Sequence, residues 1–346
     1  MIWKKKKFWG TLVAVALLAF CVKDISLTDL RSLSVRIDYI YLIPATVCTF
    51  LYSVFKALRW RLMVKTQKTI PAWNAITLYS AGQVINVVMP ALTGQLGRIL
   101  LFARAEGLRK TFVFSTIVLE VLLDAITLVA ALLLTSLAFA IPDRYRTAGY
   151  IIGLVTLVLI GLLYLLLHYE DRAENFGGAW CRARWPKFHA GMQKSIRSFT
   201  SGMELLRSSQ NVCLSLGLSF LYWGAHIFVV YFLFLAFGFG LPFSAAAMVM
   251  VINTLALMVP ITPGNAGTFE VAVSTALLAF RVARPDAVLF ALALHLLDLL
   301  PLWLLGMWFL RTEKVSLKDI REQHEDRLIL DEMDERGSLI EREDPR

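Results

Sequence analysis

A few ionisable residues stand in stretches of this chain that otherwise exclude charge. Arg98 follows the segment Pro90-Ala-Leu-Thr-Gly94-Gln-Leu-Gly97. Glu270 closes the segment Pro260-Ile-Thr-Pro263-Gly264-Asn-Ala-Gly267-Thr-Phe-Glu270. Glu120 and Asp124 lie four apart in one apolar run, and His295 and Asp298 lie three apart in another. Such spacings put both members of a pair on one helix face. Charge in hydrocarbon is costly, so these groups either line a pathway or pair with one another. Arg98 is the best phosphate ligand among them, because a guanidinium fork engages two oxygens at once. Glu120, Asp124 and Glu270 are candidate proton carriers. The plainer reading is an internal ion-pair network, with Arg98 held by Glu120 or by Glu270. His295 has Asp298 to orient it but no third ligand or nucleophile nearby, and reads most simply as a packing histidine.

The two proline- and glycine-containing segments share one pattern. Both read P-x-x-x-G-x-x-G, and Pro90, Gly94 and Gly97 recur as Pro260, Gly264 and Gly267 at an offset of 170 residues. Pro removes a backbone donor and Gly permits unusual dihedrals, so each segment is expected to turn sharply. Backbone groups freed by a turn cannot face lipid and must be buried in protein or line a wet cavity. Helix N-termini following such turns would offer N–H groups to an anion. Gln83, Asn86 and Asn253 precede the turns and are plausible partners for the freed carbonyls.

The elements that position these residues follow from composition. Of 346 residues 58% are hydrophobic and 18% charged, and the mean hydropathy is +0.64, too few polar residues to coat a soluble core of this size. A helix needs about 20 apolar residues to cross a ~30 Å hydrocarbon layer, and spanning runs without strand-like alternation must be helices. Full spans are predicted at 8–22, 39–57, 111–140, 148–168, 211–237 and 285–310. The regions 71–103 and 241–281 are apolar but interrupted near their centres. Glu120 and Asp124 then fall roughly 14–20 Å into their span, at ~1.5 Å per residue.

Charge placement orients these spans. Of the 35 Lys and Arg residues, 28 fall in segments assigned inside (the N-terminus, 56–68, 98–110, 172–207 and beyond 310), against 7 outside. That bias places both termini in the cytoplasm. Region 71–103 then enters and leaves on the cytoplasmic side and region 241–281 on the outer side, which two oppositely oriented re-entrant hairpins satisfy. Two full crossings in each region would keep the same parity. Shifting the spans 39–57 and 111–140 by 170 residues lands on the fifth and sixth spans, so repeat 1 covers about 39–140 and repeat 2 about 209–310. The expected fold is all-α and polytopic: a single membrane domain over 1–310 with about six transmembrane helices and two hairpins in an inverted repeat, as in many transporters. A cytoplasmic loop at 169–210, with Trp180, Trp185 and Phe188 among basic residues, suits a surface helix at the headgroup layer. The tail 311–346 is charged and carries no assigned chemistry. Cys21, Cys48, Cys181 and Cys213 are scattered, so neither a disulfide framework nor a metal site is expected. The net charge of +9 reads as cytoplasmic loops and not as nucleic-acid binding.

The ordered set Asn86-Val-Val-Met-Pro90, Gly94-Gln-Leu-Gly-Arg98, Glu120-x-x-x-Asp124 and Pro260 to Glu270 resembles the integral-membrane region of lysylphosphatidylglycerol synthases, along nearly the whole chain. That family includes stand-alone, flippase-like proteins of bacteria and archaea. The resemblance implies lipid movement between leaflets, with aminoacylation residing in a separate soluble domain that this chain lacks, and a bacterial cytoplasmic (inner) membrane location. Gln95 stands where the family often has Glu, Val121 where an Arg often follows the Glu, and Asn265 where Gly is common.

The expectation is therefore a lipid translocase, flippase- or scramblase-like, without a catalytic domain and without a cofactor. It would move a phospholipid or a polyprenyl-phosphate-type lipid. Arg98, Gly94, Gly97, Gly264, Gly267 and Glu270 would meet the phosphate headgroup, and Glu120, Asp124, His295 and Asp298 would supply protons or ion pairs. A membrane-embedded lipid-modifying transferase and a secondary transporter of a small anionic solute are the alternatives. A second copy of the chain or a lipid-modifying enzyme are the protein partners left open.

Overall fold

The computed structural model of the protein describes residues 15–21, 23, 36–89, 92–138, 143–168, 186–257 and 262–312. Residues 15–21 are helical, and ten further α-helices follow among the described residues, with no strand. They are α1 (Leu42–Val64), α2 (Ala72–Val88), α3 (Leu92–Glu106), α4 (Lys110–Ala138), α5 (Asp143–His168), α6 (Pro186–Gly202), α7 (Ser209–Ala236), α8 (Phe243–Leu257), α9 (Thr268–Leu278) and α10 (Arg284–Thr312). Local signals set their ends. The Ser208 hydroxyl accepts from the Asn211 amide and caps α7. Gly107, at φ +66°, stops α3. Pro285 and Asp286 stand in the first turn of α10, where a missing donor costs nothing and an acid suits the dipole.

The protein is an all-α, multi-pass membrane protein. Four stretches are long and apolar enough to span: Tyr39–Val64, Lys110–Leu134, Ser209–Ala236 and Arg284–Thr312. They match four of the predicted spans, and α5, with 26 residues, covers a fifth. The predicted span 8–22 lies outside the described residues except for 15–21, as do the loop segment 169–185 and the tail from 313. The loop's described part is α6, which packs on α4. By contrast α2, α3, α8 and α9 have 17, 15, 15 and 11 residues. At ~1.5 Å per residue each is shorter than the ~30 Å hydrocarbon layer.

The 170-residue offset maps element onto element: α1 onto α7, α2 onto α8, α3 onto the 3₁₀ turn Pro263–Asn265 with α9, and α4 onto α10. Packing obeys the same mapping. α1 packs along its own counterpart α7, forming the most extensive helix pair. α2 leans on α10, as its counterpart α8 leans on α4, so the first short helix of each half rests against the other half's last helix, while α3 and α9 pack on the last helix of their own half. Lipid is as apolar as leucine, so close backbone approach has to hold helices together here. At the α2–α10 crossing a Cβ on Gly306 would lie 2.8 Å from the Ser80 carbonyl oxygen. One buried cluster centres on α7 to α10 (Phe234, Val273 and Phe290), and another on α1 to α3 (Trp60, Tyr79 and Phe102).

Candidate functional site

The repeated motif folds differently in the two halves. Pro90 and Pro260 lie outside the described residues. Gly94 and Gly97 are not in a turn; they sit inside helix α3. Their role is close approach: a Cβ on Gly94 would lie 2.8 Å from the Asn86 backbone, and one on Gly97 would lie 2.6 Å from the Ile85 side chain. The expected turn glycines are realised only in the second half. There Gly264 has φ +60°, Asn265 +57° and Gly267 +83°, the left-handed region that favours glycine. Asn tolerates that region better than most residues, which explains how Asn265 holds its place. Pro263 opens this turn.

Among the described residues, charges at membrane depth gather in interhelical clusters, of which three hold the predicted acids Glu120, Asp124 and Glu270, and Arg59 at 3.9 Å from Glu120 joins the first two. In the first, Arg98 of α3 donates to Glu120 Oε2 of α4 at 2.6 Å, and the Tyr79 hydroxyl of α2 donates to Glu120 Oε1 at 2.5 Å. The Arg98 guanidinium lies over the Tyr79 ring, 4.7 Å from its centroid, and is 2% exposed. Arg98 is thus committed to Glu120, and it lines neither cavity described below. In the second cluster, Arg59 of α1 pairs with Asp124 at 2.6 Å and donates to the Ser219 hydroxyl at 2.7 Å. The Tyr222 hydroxyl of α7 donates to the same Asp124 oxygen. In the third, Glu270 Oε1 lies 2.7 Å from His295 Nδ1, while Glu270 Oε2 accepts from the Gly267 amide at 2.6 Å. The N-terminus of α9, which the turn motif had marked as an anion site, is therefore already capped by its own carboxylate.

Two expectations are corrected. His295 and Asp298 do not orient one another. His295 faces Glu270 and the Gly264 carbonyl, whereas Asp298 lies 3.1 Å from His226 Nε2 on α7. Lys56, at the end of the predicted span 39–57, and Arg59, beyond it, do not mark the start of a loop. α1 continues through both to Val64, and Arg59 is fully buried. A span drawn from one segment's hydropathy ends at the first cations, but here Asp124 on another helix compensates the buried charge. Arg59, Lys56, Tyr52, Tyr79, Tyr222 and His226 were all missed as site residues. One usable signal was available: Tyr52 and Lys56 recur as Tyr222 and His226 at the same 170-residue offset.

Two adjoining cavities open between these clusters. The larger, about 520 Å³, is lined among others by Lys56, Asp124, Trp223, His226, Asn253 and Asp298. The smaller, about 160 Å³, is lined among others by Tyr79, Gln83, Gly264, Asn265, His295 and Asp298. Tyr52, Lys56, Leu257, Phe269 and Asp298 line both. The cavities are repeat counterparts: Asn253, Leu257 and Trp223 of the larger correspond to Gln83, Val87 and Ser53 of the smaller. Their common wall is where the two halves meet, with the Tyr52 and Tyr222 rings 5.7 Å apart. The Lys56 ammonium sits over both rings at 5.2 Å and donates to the Tyr52 hydroxyl at 3.3 Å, and it makes no ion pair among the described residues. Val121, where the resemblance led one to look for Arg, lines the larger cavity and leaves Lys56 as its cation.

A family model, the lysylphosphatidylglycerol synthase TM region, matches residues 7–306. The chain belongs to that family. A UPF0104 membrane protein of Methanothermobacter thermautotrophicus is 23% identical over 274 residues, which is 75% of this chain and 81% of the relative. Another, of Pyrococcus horikoshii, is 23% identical over 330 residues, 90% of this chain and 98% of that relative. No solved structure matches the chain. Membership agrees with the multi-pass helical fold and connects the protein with membrane lipids, and the two relatives, being archaeal, attach the family to more than bacterial membranes.

Proposed function

We propose that this family member is a lipid translocase that carries an anionic headgroup through the two adjoining cavities while the acyl chains stay in the bilayer. The observation that carries this reading is Lys56, a cation without an ion-pair partner among the described residues, on the wall common to both cavities. Charges at membrane depth are otherwise neutralised in pairs, as Arg59 and Arg98 are here. An unpaired ammonium facing a cavity attracts a phosphate as a point charge. The apolar lining, Leu128, Leu257 and Phe269, suits the lipid's glycerol and upper chain. A phospholipid or a polyprenyl phosphate presents the required group. This makes the chain a transporter and not an enzyme.

The short helices α2–α3 and α8–α9 support a re-entrant reading, and the element-by-element repeat supports an inverted one. Both termini are then cytoplasmic, in a cytoplasmic membrane. The test is translocation of tail-labelled phosphatidylglycerol in proteoliposomes. Transport is expected in the wild type and to fall at least about tenfold in Lys56→Gln, the change that losing ~1.4 kcal/mol of headgroup attraction produces. Equal rates in protein-free vesicles would reject the translocase, and counterflow of aqueous phosphate without lipid movement would replace it with a solute transporter.

A further inference from the structure

We infer that Glu270 and His295 form a proton-binding site that latches the 263–267 turn, and that lipid movement is coupled to emptying and refilling it. The coupling rests on the translocase reading above; the latch does not.

His295 Nε2 lies 3.1 Å from the Gly264 carbonyl oxygen, which has no hydrogen to give, so Nε2 carries one. His295 Nδ1 lies 2.7 Å from Glu270 Oε1, a contact that also requires a proton between its atoms. Either an imidazolium donates from both nitrogens, or a neutral imidazole donates to Gly264 while a protonated Glu270 donates to Nδ1. Both arrangements hold one proton more than neutral histidine with an ionised glutamate. Remove that proton and one contact turns repulsive. With N–H on Nε2, the Nδ1 lone pair faces a carboxylate; with N–H on Nδ1, the Nε2 lone pair faces the Gly264 carbonyl.

The latch has a mechanical consequence. Glu270 also holds the Gly267 amide, and the Phe269 ring stacks on His295 at 4.4 Å, so the whole turn hangs on this pair. The turn packs on α2, where a Cβ on Gly264 would lie 3.2 Å from Val87. Gly264, Asn265 and His295 all line the smaller cavity. Loss of the proton to water in that cavity releases Gly264 and opens the wall it forms. Among the described residues, the titratable and charged groups that face the pair are Asp298 on α10, Tyr52 and Lys56 on α1 and Tyr79 on α2. Cys21, with Arg284 beside it, approaches Glu270 from the helical stretch 15–21. α8 contributes none.

The test labels S53C, a near-isosteric change in the smaller cavity, with a small thiol reagent across a pH series. Cys213, which is exposed, serves as the internal reference for thiol ionisation, and the other three native cysteines are replaced by serine. Relative to Cys213, S53C labelling should rise by up to about tenfold per pH unit over the range in which opening releases the proton, and then level off. Added Glu270→Gln, whose amide donates to Nδ1 at any pH, should hold the ratio low throughout. Added His295→Ala should hold it high. A pH-independent ratio in the S53C chain with its latch intact overturns the proposal, and that arm depends on no latch variant folding. Lipid translocation measured in parallel separates the two readings. Transport whose pH dependence survives Glu270→Gln sinks the coupling, whereas the labelling pattern without any lipid movement keeps the latch and sinks the translocase.

Discussion

In the first half of the molecule the short helix after the interruption carries the cation, Arg98, and the following long helix carries the acid, Glu120. In the second half the acid, Glu270, is on the short helix and His295 is on the long one. Both pairs pin a short helix to its neighbour, between equivalent helices of the repeat though not at equivalent positions. They differ in kind. An arginine is charged at every accessible pH, so the first pin is permanent, and Glu120 is further held by Tyr79. The second pin joins a histidine to a glutamate, and the latch proposed above makes it conditional on the proton the pair holds. Two halves built on one plan thus divide the work between a fixed support and a movable part.

The largest expected effect is on the fixed support. Glu120→Ala leaves Arg98 buried without its counter-ion and should destabilise the protein by roughly 3–5 kcal/mol, read as a lowered thermal midpoint in detergent. His295→Ala removes hydrogen bonds from Glu270, which is buried but still holds the Gly267 amide, and should cost only about 1–3 kcal/mol. Equal losses would erase the distinction between the two pins. Next in size is Lys56→Gln, at the seam between the halves. It should cut lipid translocation by about tenfold or more while shifting stability by less than ~1 kcal/mol, as partly exposed cations do. A comparable loss of thermal stability would recast Lys56 as structural.

Glu270→Gln should preserve stability, because the amide reproduces both hydrogen bonds, while flattening the pH dependence of transport. A pH profile identical to the wild type would leave the second pin as fixed as the first. The smallest contrast concerns the repeated glycines. Gly94→Ala forces a methyl against the Asn86 backbone and should cost about 1–3 kcal/mol by overpacking. Its counterpart Gly264→Ala meets more room but puts alanine in the left-handed region, at about 1–2 kcal/mol. A Gly94 variant rescued by Asn86→Ala, with no such rescue at Gly264, would separate the two causes.

Much of this architecture was legible from particular residues. The apolar runs announced the long helices, and the spacing of Pro90, Gly94 and Gly97 against Pro260, Gly264 and Gly267 announced the repeat that the helix packing follows. Arg98, Glu120, Asp124, Glu270, His295 and Asp298 were visible because each is a charge where charge is expensive. Gln83, Asn86 and Asn253 were flagged as partners for freed carbonyls; the structure places Asn86 against Gly94, Gln83 in the smaller cavity and Asn253 in the larger. The partners were not legible. Nothing in the chain's order joins Asp298 to His226, 72 positions away, or Arg59 to Asp124. The same blindness moved Arg59 into a loop, since a hydropathy reading has no way to see the carboxylate that makes a buried arginine tolerable.

The sequence by itself determined that the chain is a helical membrane protein, and its shared spacing pointed to a repeated plan. Lipid admits only internally satisfied backbone in long apolar runs, and a shared spacing is visible without any structure. The tertiary structure decided which charges are spent on each other and which is left facing a cavity. That outcome depends on angstrom distances between helices remote in the chain: Arg98, the obvious ligand, is consumed by Glu120, while Lys56 is left for something else to neutralise.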